Sequence, residues 1–168
     1  MSATTSMSFA EFEQLPDMPG KQELIEGELI AVPPPKHTLS VVIKNLSDLL
    51  RTILDRSRVW SEAGYRIGGG WLQPDVSVSW PDQKITDGYL AGSPMLAAEV
   101  VSDNNTAADI LRKVKLYLEH GSEEVWILDP KHRSMTVYQR NKPTVFAERQ
   151  YHSEPLGLTV DLAELFRQ

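Results

Sequence analysis

The sequence predicts an α/β (α+β) fold in which helices flank a mixed β-sheet. Two segments carry apolar residues at three- and four-residue spacing, which indicates amphipathic helices, and several short apolar runs rich in valine indicate strands. The chain has 168 residues, of which 41% are hydrophobic and 24% are charged. These values fit one domain, spanning residues 1–168, with a single core.

The predicted helices and strands follow one another in the order αββαβββαβββα. They lie at 8–13 (helix), 23–32 (strand pair), 40–55 (helix), 58–67, 74–80 and 95–101 (strands), 106–120 (helix), 124–129, 135–139 and 144–148 (strands) and 161–166 (helix). Ser8 and Glu11 have the spacing of a capping box, which opens the first helix. Gly27 divides the strand pair as a tight turn does, and three prolines end it. The first long helix, starting at Thr38 or Ser40, is predicted from its apolar spacing.

The second half of the chain is predicted from turn residues, a helix cap and an apolar run. Gly68–Gly70 form the turn between the first two single strands. Thr106 and Asp109 have the spacing of a second capping box, and Gly121 ends the helix that they open. Residues 124–129 are apolar enough to be buried on both faces, as in a central strand. The last two strands form a hairpin before the short C-terminal helix.

The amino-acid composition excludes several classes of protein and of functional site. The chain has no cysteine, which excludes a disulfide framework, a thiolate nucleophile and a cysteine zinc site. A metal would therefore be held by oxygen or imidazole. No apolar run reaches the length of a membrane span, and Met1–Met7 lack the pattern of a signal peptide. We expect a cytoplasmic protein without a membrane association.

The charge of the chain is negative and unevenly distributed. Its formal net charge of -6 argues against a protein that coats nucleic acid by bulk electrostatics. Residues 1–30 hold six acids against one base, whereas residues 130–150 hold five bases against one acid. This asymmetry predicts either an acidic metal-binding end and a basic end that faces phosphate, or simply a solvated basic hairpin.

Two acidic residues in predicted strands are the main functional signal. Asp75 follows Pro74 and alternates with serines, so it faces away from the valines of its strand. Glu99 lies in an apolar run with no other polar side chain, where an unpaired charge would be costly. Either a divalent metal bound by both acids or a lysine paired with Glu99 would supply the missing cation. The alternative without function is an acid that starts a strand and a second acid in a cross-sheet ion pair.

Lys113 is the candidate cation on the helix that follows. The helical rotation of about 100° per residue places it at the edge of the inward stripe, beside Tyr117. From there it could orient a water bound to the metal, help to deprotonate that water or stabilise charge on a phosphate. The alternative is an ordinary surface lysine. Asp109, one turn earlier, fits a helix cap and an ion pair with Lys113 better than a metal ligand.

The ordered set of motifs resembles the Uma-two family of the PD-(D/E)XK nuclease superfamily, in the form whose lysine has migrated to a helix. The matching segments are Glu23–Leu29, the prolines before His37, Pro74–Val78, Glu99–Ser102, Asp109-x-x-x-Lys113-x-x-x-Tyr117-x-x-x-Gly121 and Glu124–Pro130. They cover nearly the whole chain, and their order is more specific than any one of them. Two positions depart from the pattern. Val101 stands where the superfamily's usual lysine would be, and Asp103 replaces the proline of a common Ser-Pro turn.

The resemblance implies a restriction-endonuclease-like core and Mg²⁺-dependent hydrolysis of DNA phosphodiester bonds, with Mn²⁺ able to replace Mg²⁺. It also implies that Asp75 and Glu99 bind the metal, with the Val100 carbonyl as a further ligand. Lys113 would orient the attacking water. Because Val101 occupies the usual lysine position, activity would depend on Lys113 replacing that lysine in space.

Auxiliary residues follow from the same resemblance. Glu26 or Glu23 would be an additional acid at the metal or just beyond it. Tyr117 and Asp109 accompany Lys113 in the helical motif. His37 could contact phosphate or protonate a leaving oxygen, although a histidine before a helix is commonly a capping or surface residue.

Three classes of function remain open from the sequence. The first is a metal-dependent endonuclease whose partner is DNA. The second is a catalytically inactive module that keeps the nuclease fold and binds nucleic acid or a protein partner, which the net negative charge favours. The third is a structural homodimer built on exposed apolar parts of the sheet. A homodimer is expected for the nuclease as well, because two active sites on a two-fold axis can cut both strands.

Overall fold

The structure, a computed structural model, describes residues 6–168. Its helices are α1 (Phe9–Glu13), α2 (His37–Ile53), α3 (Ala107–Glu119) and α4 (Leu162–Leu165), with a 3₁₀ turn at Arg56–Arg58. Its strands are β1 (Lys21–Ile25), β2 (Glu28–Val32), β3 (Val59–Ser61), β4 (Tyr65–Ile67), β5 (Gly70–Leu72), β6 (Val76–Val78), β7 (Ile85–Thr86), β8 (Tyr89–Ala91), β9 (Leu96–Val100), β10 (Glu124–Asp129), β11 (Ser134–Gln139), β12 (Lys142–Ala147), β13 (Gln150–Ser153) and β14 (Leu158–Asp161). Helices flank mixed sheets, as the sequence predicts.

The strands form two large sheets and a separate hairpin. The first sheet has the order β2-β1-β5-β4-β8-β7 and the second has the order β12-β11-β10-β9-β6-β3. In the second sheet β9 and β10 run parallel, with α3 in the connection between them, whereas β6 and β11 run antiparallel to them. The carboxyl ends of β9 and β10 therefore lie at the same edge of this sheet.

The second sheet separates two hydrophobic cores, so the prediction of a single core was wrong. On one face, α2, α4 and the β13–β14 hairpin cover a core that contains Trp126, and on the other face α3 and the first sheet cover Ala97. Successive residues of a strand point to opposite faces. Glu99 therefore lies on the same face as Ala97, toward α3, while Glu124 lies on the same face as Trp126.

Local hydrogen bonds set the starts of two helices as predicted. Ser8 and Glu11 form a reciprocal capping box at α1, and Thr106 and Asp109 do the same at α3. Gly121 follows α3 with φ of 124°, a conformation that favours glycine and ends the helix. The ends of these helices were predictable because each capping residue forms its hydrogen bond, or its turn, within a few residues along the chain.

The strand predictions were wrong or incomplete at three places. The predicted strand over 58–67 is divided into β3 and β4, which belong to different sheets, because the chain turns at Glu62 with φ of 54°. Strand β5 starts at Gly70, where only a turn was predicted. The hairpins β7–β8 and β13–β14 were not predicted at all. Short strands that pair with distant parts of the chain are hard to predict, because few of their own residues show the alternation of a strand.

The basic residues of segment 130–150 are not gathered at one end of the molecule, as a phosphate-facing surface would require. Because β11 runs antiparallel to β10, Lys131 and Arg140 lie at opposite ends of these strands. Arg140 lies 3.8 Å from Glu123, and Lys142 pairs with Glu154. The solvated basic hairpin is therefore the interpretation that the structure supports.

Two predictions about the whole chain reach beyond what the structure describes. Among the described residues, no helix combines the length and the apolar character needed to cross a bilayer. The prediction about a signal peptide concerns Met1–Met7, of which residues 1–5 lie outside the described part. A single domain over residues 1–168 stays a prediction.

Candidate active site

A cleft of about 880 Å³ opens between the two sheets. One wall is formed by β1, β2 and the proline segment that leads into α2, and the other by the end of β9, the loop after it and the first turns of α3. Asp75, Glu99 and Lys113 all line this cleft. The structure therefore brings the three predicted catalytic residues together.

Asp75 reaches the cleft because of the alternation that continues into β6. The valines of β6 point into the core shared with α2, whereas Ser77 and Ser79 point the other way and each lie 3.0 Å from the Tyr65 hydroxyl. Asp75 lies on the serine side. The pairing of β6 with β9 brings Asp75 to the end of β9, where the Val100 N–H donates to Asp75 Oδ2 at 2.7 Å.

Glu99 receives a cation and a hydroxyl group from α3. Lys113 Nζ lies 2.7 Å from Glu99 Oε1, and the Tyr117 hydroxyl donates to the same oxygen at 2.8 Å. Lys113 and Tyr117 are one helical turn apart, so α3 presents both toward the sheet. The side chains of Glu99 and Lys113 are each 14% exposed, which leaves the pair largely desolvated in the wall of the cleft. Lys113 thus reaches inward, as its helical position predicted.

Glu23 holds Lys113 from the first sheet. Its Oε1 accepts a hydrogen bond from Lys113 Nζ at 3.0 Å and another from the Gln73 N–H at 2.9 Å. The residue is 2% exposed. Glu23 therefore ties β1 both to α3 and to the segment that leads into Asp75.

Glu26, the other acid implied as a metal ligand, lies outside this cluster. Glu26 and Gly27 form the turn between β1 and β2 with φ of 50° and 83°, as in two-residue hairpin turns of the primed types. The exposed carboxylate of Glu26 pairs with Arg112 Nε at 2.7 Å and is not part of the cleft lining. Strand alternation aims Glu23 at the cleft, whereas the turn carries Glu26 away from it. Of the two acids implied by the resemblance, the structure therefore places Glu23 in the cleft and Glu26 outside it.

Lys21 is a member of the cluster that sequence reasoning missed. Its Nζ lies 3.2 Å from Asp75 Oδ1, and the two side chains are 13% and 17% exposed. Lys21, Glu23 and Ile25 alternate along β1, and all three line the cleft. That alternation is the signal that could have found Lys21 once one of its neighbours was assigned to the site.

Burial and neighbouring charges shift the pKa values of three groups in this cluster. Burial alone would lower the pKa of Lys113, but the Glu99 and Glu23 carboxylates outweigh burial and raise this pKa above the ordinary value of lysine. Lys113 is therefore an ammonium group at neutral pH. Burial raises the pKa of Glu99 against the attraction of Lys113. Burial, followed by the nearby carboxylates, also holds the pKa of Tyr117 well above its usual range, so its hydroxyl remains a donor.

The remaining predicted residues lie at or beyond the edge of the cluster. His37 is exposed in the first turn of α2 and is not part of the cleft lining. Asp109 lines the cleft and accepts a hydrogen bond from the Thr106 hydroxyl at 2.5 Å, which supports its predicted capping role. Among the described residues, the predicted Asp109–Lys113 ion pair is not formed, because Lys113 turns to Glu23 and Glu99 instead.

The donors in the cleft suit a hard divalent cation. Asp75, Glu99 and Val100 line the cleft, and between them they offer two carboxylates and a backbone carbonyl. Mg²⁺ is commonly held by one or two carboxylates and otherwise by water and phosphate oxygens. Within residues 6–168, no group of three or more histidine, cysteine, aspartate or glutamate side chains has the arrangement of a metal site. Two carboxylates and a carbonyl nevertheless fit the ligands that Mg²⁺ requires from a protein.

Comparison with known proteins agrees with the motifs. The family model described as "Uma2: Putative restriction endonuclease" matches residues 9–166. The chain belongs to the Uma2 family. The resemblance predicted from the ordered motifs is thereby confirmed, and membership of Uma2 supports a nuclease.

A solved structure shares the fold of this Uma2 chain. It is the crystal structure described as "a putative nuclease belonging to DUF820" from Anabaena variabilis, which is 20% identical and superimposes with a TM-score of 0.86. The match covers 95% of this chain and 97% of the other. It confirms the predicted fold class. No curated protein matches the chain.

Proposed function

We propose that this Uma2 protein is a metal-dependent endonuclease that hydrolyses DNA phosphodiester bonds in the cleft. One observation carries the proposal: Lys113, a buried ammonium 2.7 Å from Glu99, lies in the wall of an open cleft that Asp75 also lines. A purely structural ion pair has no need of such a cleft. Membership of a family whose description reads "Putative restriction endonuclease" supports the same reaction.

Asp75 and Glu99 would hold Mg²⁺ or Mn²⁺, with the Val100 carbonyl as a third oxygen. When bound, such an ion supplies Lewis-acid activation of water and stabilises charge on the scissile phosphate. The N–H of Val100 already fixes Asp75 Oδ2 at 2.7 Å, and Tyr117 fixes Glu99 Oε1 at 2.8 Å. Both carboxylates are therefore oriented by neutral donors that remain in place when a cation arrives.

Lys113 acts as a donor and as a positive charge. Its raised pKa keeps it protonated at neutral pH, so it is suited to orient a water or to stabilise negative charge on phosphate rather than to accept a proton. Glu23 would be its positioning residue, because it binds Lys113 Nζ at 3.0 Å from strand β1. Lys113 on α3 would thus fulfil the role that Val101 cannot.

The net charge of the cleft lining is unfavourable for a DNA substrate. Seven acidic and four basic residues line it, which leaves an excess of negative charge. Like charges repel a polyanion, so DNA binding would need divalent cations in the cleft. A homodimer would be the working form, because a two-fold pair of clefts can cut both strands.

The test is cleavage of supercoiled plasmid and of single-stranded DNA with Mg²⁺ or Mn²⁺. We expect metal-dependent nicking that falls by about a hundredfold or more in Asp75→Asn, Glu99→Gln and Lys113→Ala. Lys115→Ala is the matched control, because Lys115 lies on the same helix but is 67% exposed and pairs only loosely with Glu119. Nicking that survives equally in all four variants would contradict the proposed site.

The non-catalytic module is the second candidate, and the Lys21–Asp75 ion pair favours it. An aspartate that already has a cation at 3.2 Å needs no metal for its stability. A module of this kind would bind DNA or a protein without cleaving DNA under any metal. Gel-shift measurements beside the cleavage assay, with light scattering for the oligomeric state, separate the two functions.

A further inference from the structure

Lys21 occupies the position in which it competes with any cation for Asp75. Its Nζ lies 3.2 Å from Asp75 Oδ1, while Oδ2 is bound by the Val100 N–H. Both oxygens of Asp75 are therefore engaged, one by a charge and one by a neutral donor. A divalent cation at Oδ1 would lie next to the Lys21 ammonium and be repelled by it.

Burial makes this competition strong. Lys21 is 13% exposed, so water screens its charge much less than that of a surface lysine. Lys36 offers the contrast within the same cleft: it lies at the same distance of 3.2 Å from Asp103, but both side chains are 75% exposed. The two ion pairs are equal in length and differ in desolvation.

The two buried lysines of the cluster have different positions around the acids. Lys113 is held by two carboxylates, Glu23 and Glu99, whereas Lys21 pairs with Asp75 alone. Losing one carboxylate to a metal leaves Lys113 with another partner. Lys21 has no second ion pair among the described residues, so its contact with Asp75 is the one that a divalent cation would exchange.

We propose that Lys21 is a built-in counter-ion that holds Asp75 in the metal-free protein and sets the divalent-cation concentration at which the site fills. This inference rests on the proposed function, because it needs Asp75 to bind a metal. Lys21 is here a positioning residue that acts through Asp75. Its charge, rather than its packing, is the property that matters.

The test is calorimetric titration of Mn²⁺ into the folded full-length protein without DNA. Removing the charge in Lys21→Met should lower the Kd for Mn²⁺ by at least about tenfold. Lys36→Met should change it by less than about twofold, because that ion pair is exposed. Lys21→Arg keeps the charge and should return the Kd to that of the wild type.

The outcomes separate this inference from the proposed function. If the wild type binds Mn²⁺ and Lys21→Met binds it with the same Kd, the counter-ion role is wrong while the metal site stands. If neither protein binds Mn²⁺, both proposals are wrong. Lys21→Gln, which keeps a hydrogen-bond donor without the charge, replaces Lys21→Met if thermal unfolding shows that the methionine variant is not folded.

Discussion

Two glutamates on neighbouring strands of the second sheet, one largely buried and one fully buried, have opposite environments. Glu99 near the end of β9 is bound by Lys113 and Tyr117 and lines the open cleft. Glu124 at the start of β10 is 2% exposed and accepts hydrogen bonds from Trp126, Tyr151 and Ser153 at 2.6 to 2.9 Å. The two carboxylates lie on opposite faces of the sheet.

The difference shows what distinguishes a candidate site from a structural acid. Neutral donors close off Glu124, and two of them, the Tyr151 and Ser153 hydroxyls, hold β13 to β10. Glu99 has a neutral hydroxyl donor and a cation, and its cluster faces solvent through the cleft. A buried carboxylate therefore indicates chemistry only where cations and an opening accompany it.

The largest effect on stability is expected from Glu124→Ala. It leaves the indole N–H of Trp126 and two hydroxyl groups buried without their acceptor, which should lower the free energy of unfolding by about 4 kcal/mol. Urea unfolding monitored by circular dichroism measures this. Glu99→Ala should cost clearly less, because Lys113 keeps Glu23 as a partner. Equal losses in the two variants would remove the distinction between the clusters.

The next effect is expected from Lys113→Met. It leaves the Glu23 and Glu99 carboxylates facing each other without a cation, which should lower the free energy of unfolding by about 3 kcal/mol in the absence of metal. Mn²⁺ should restore part of this loss, since binding to the folded state stabilises it. Thermal unfolding with and without Mn²⁺ tests this, and an equal Mn²⁺ shift in Glu99→Gln would argue against binding at Glu99.

A matched pair of tyrosine variants separates stability from activity. Tyr117→Phe and Tyr151→Phe each remove one hydrogen bond to a buried glutamate, at 2.8 Å and 2.6 Å, and each should cost about 1.5 kcal/mol of stability. We expect DNA cleavage to fall only in Tyr117→Phe, because Tyr117 orients Glu99. A similar fall in Tyr151→Phe would show that cleavage simply follows stability.

The smallest effect concerns alkaline pH. Burial, and then the hydrogen bond to Glu124, raises the pKa of Tyr151 above its ordinary value. A raised folded-state pKa gives stability that is present below the unfolded value near pH 10 and is lost as pH rises beyond it. Unfolding free energies at about pH 9 and about pH 11 should therefore differ less in Tyr151→Phe than in the wild type, by up to about 1.4 kcal/mol per pH unit. An unchanged difference would contradict the assigned environment of Tyr151.

The elements with short-range signals could be predicted from the sequence. The capping box at Thr106, the glycine after α3 and the apolar run of β10 involve bonds or burial within a few neighbouring residues. The division of 58–67 between two sheets depends on which distant strands each half pairs with. The sequence around 58–67 contains no local pattern that predicts these two different pairings.

The candidate site was predictable only in part, for the same physical reason. Glu99 interrupts an apolar run and Glu124 begins one, yet nothing in their neighbours along the chain distinguishes a cleft from a closed core. Helical and strand periodicity placed Lys113 and Asp75 on the correct faces. The contribution of β1, through Glu23 and Lys21, depends on how the first sheet packs against the second.

The most direct test is a calorimetric titration of Mn²⁺ into the wild type, Glu99→Gln and Glu124→Gln. Both substitutions remove one carboxylate from a buried position, and the glutamine at 124 can keep its acceptor toward Trp126 while Tyr151 turns to accept. We predict that the wild type and Glu124→Gln bind Mn²⁺ alike and that Glu99→Gln loses binding. Binding that persists in Glu99→Gln, or is absent from the wild type, would contradict a metal-dependent active site in the cleft.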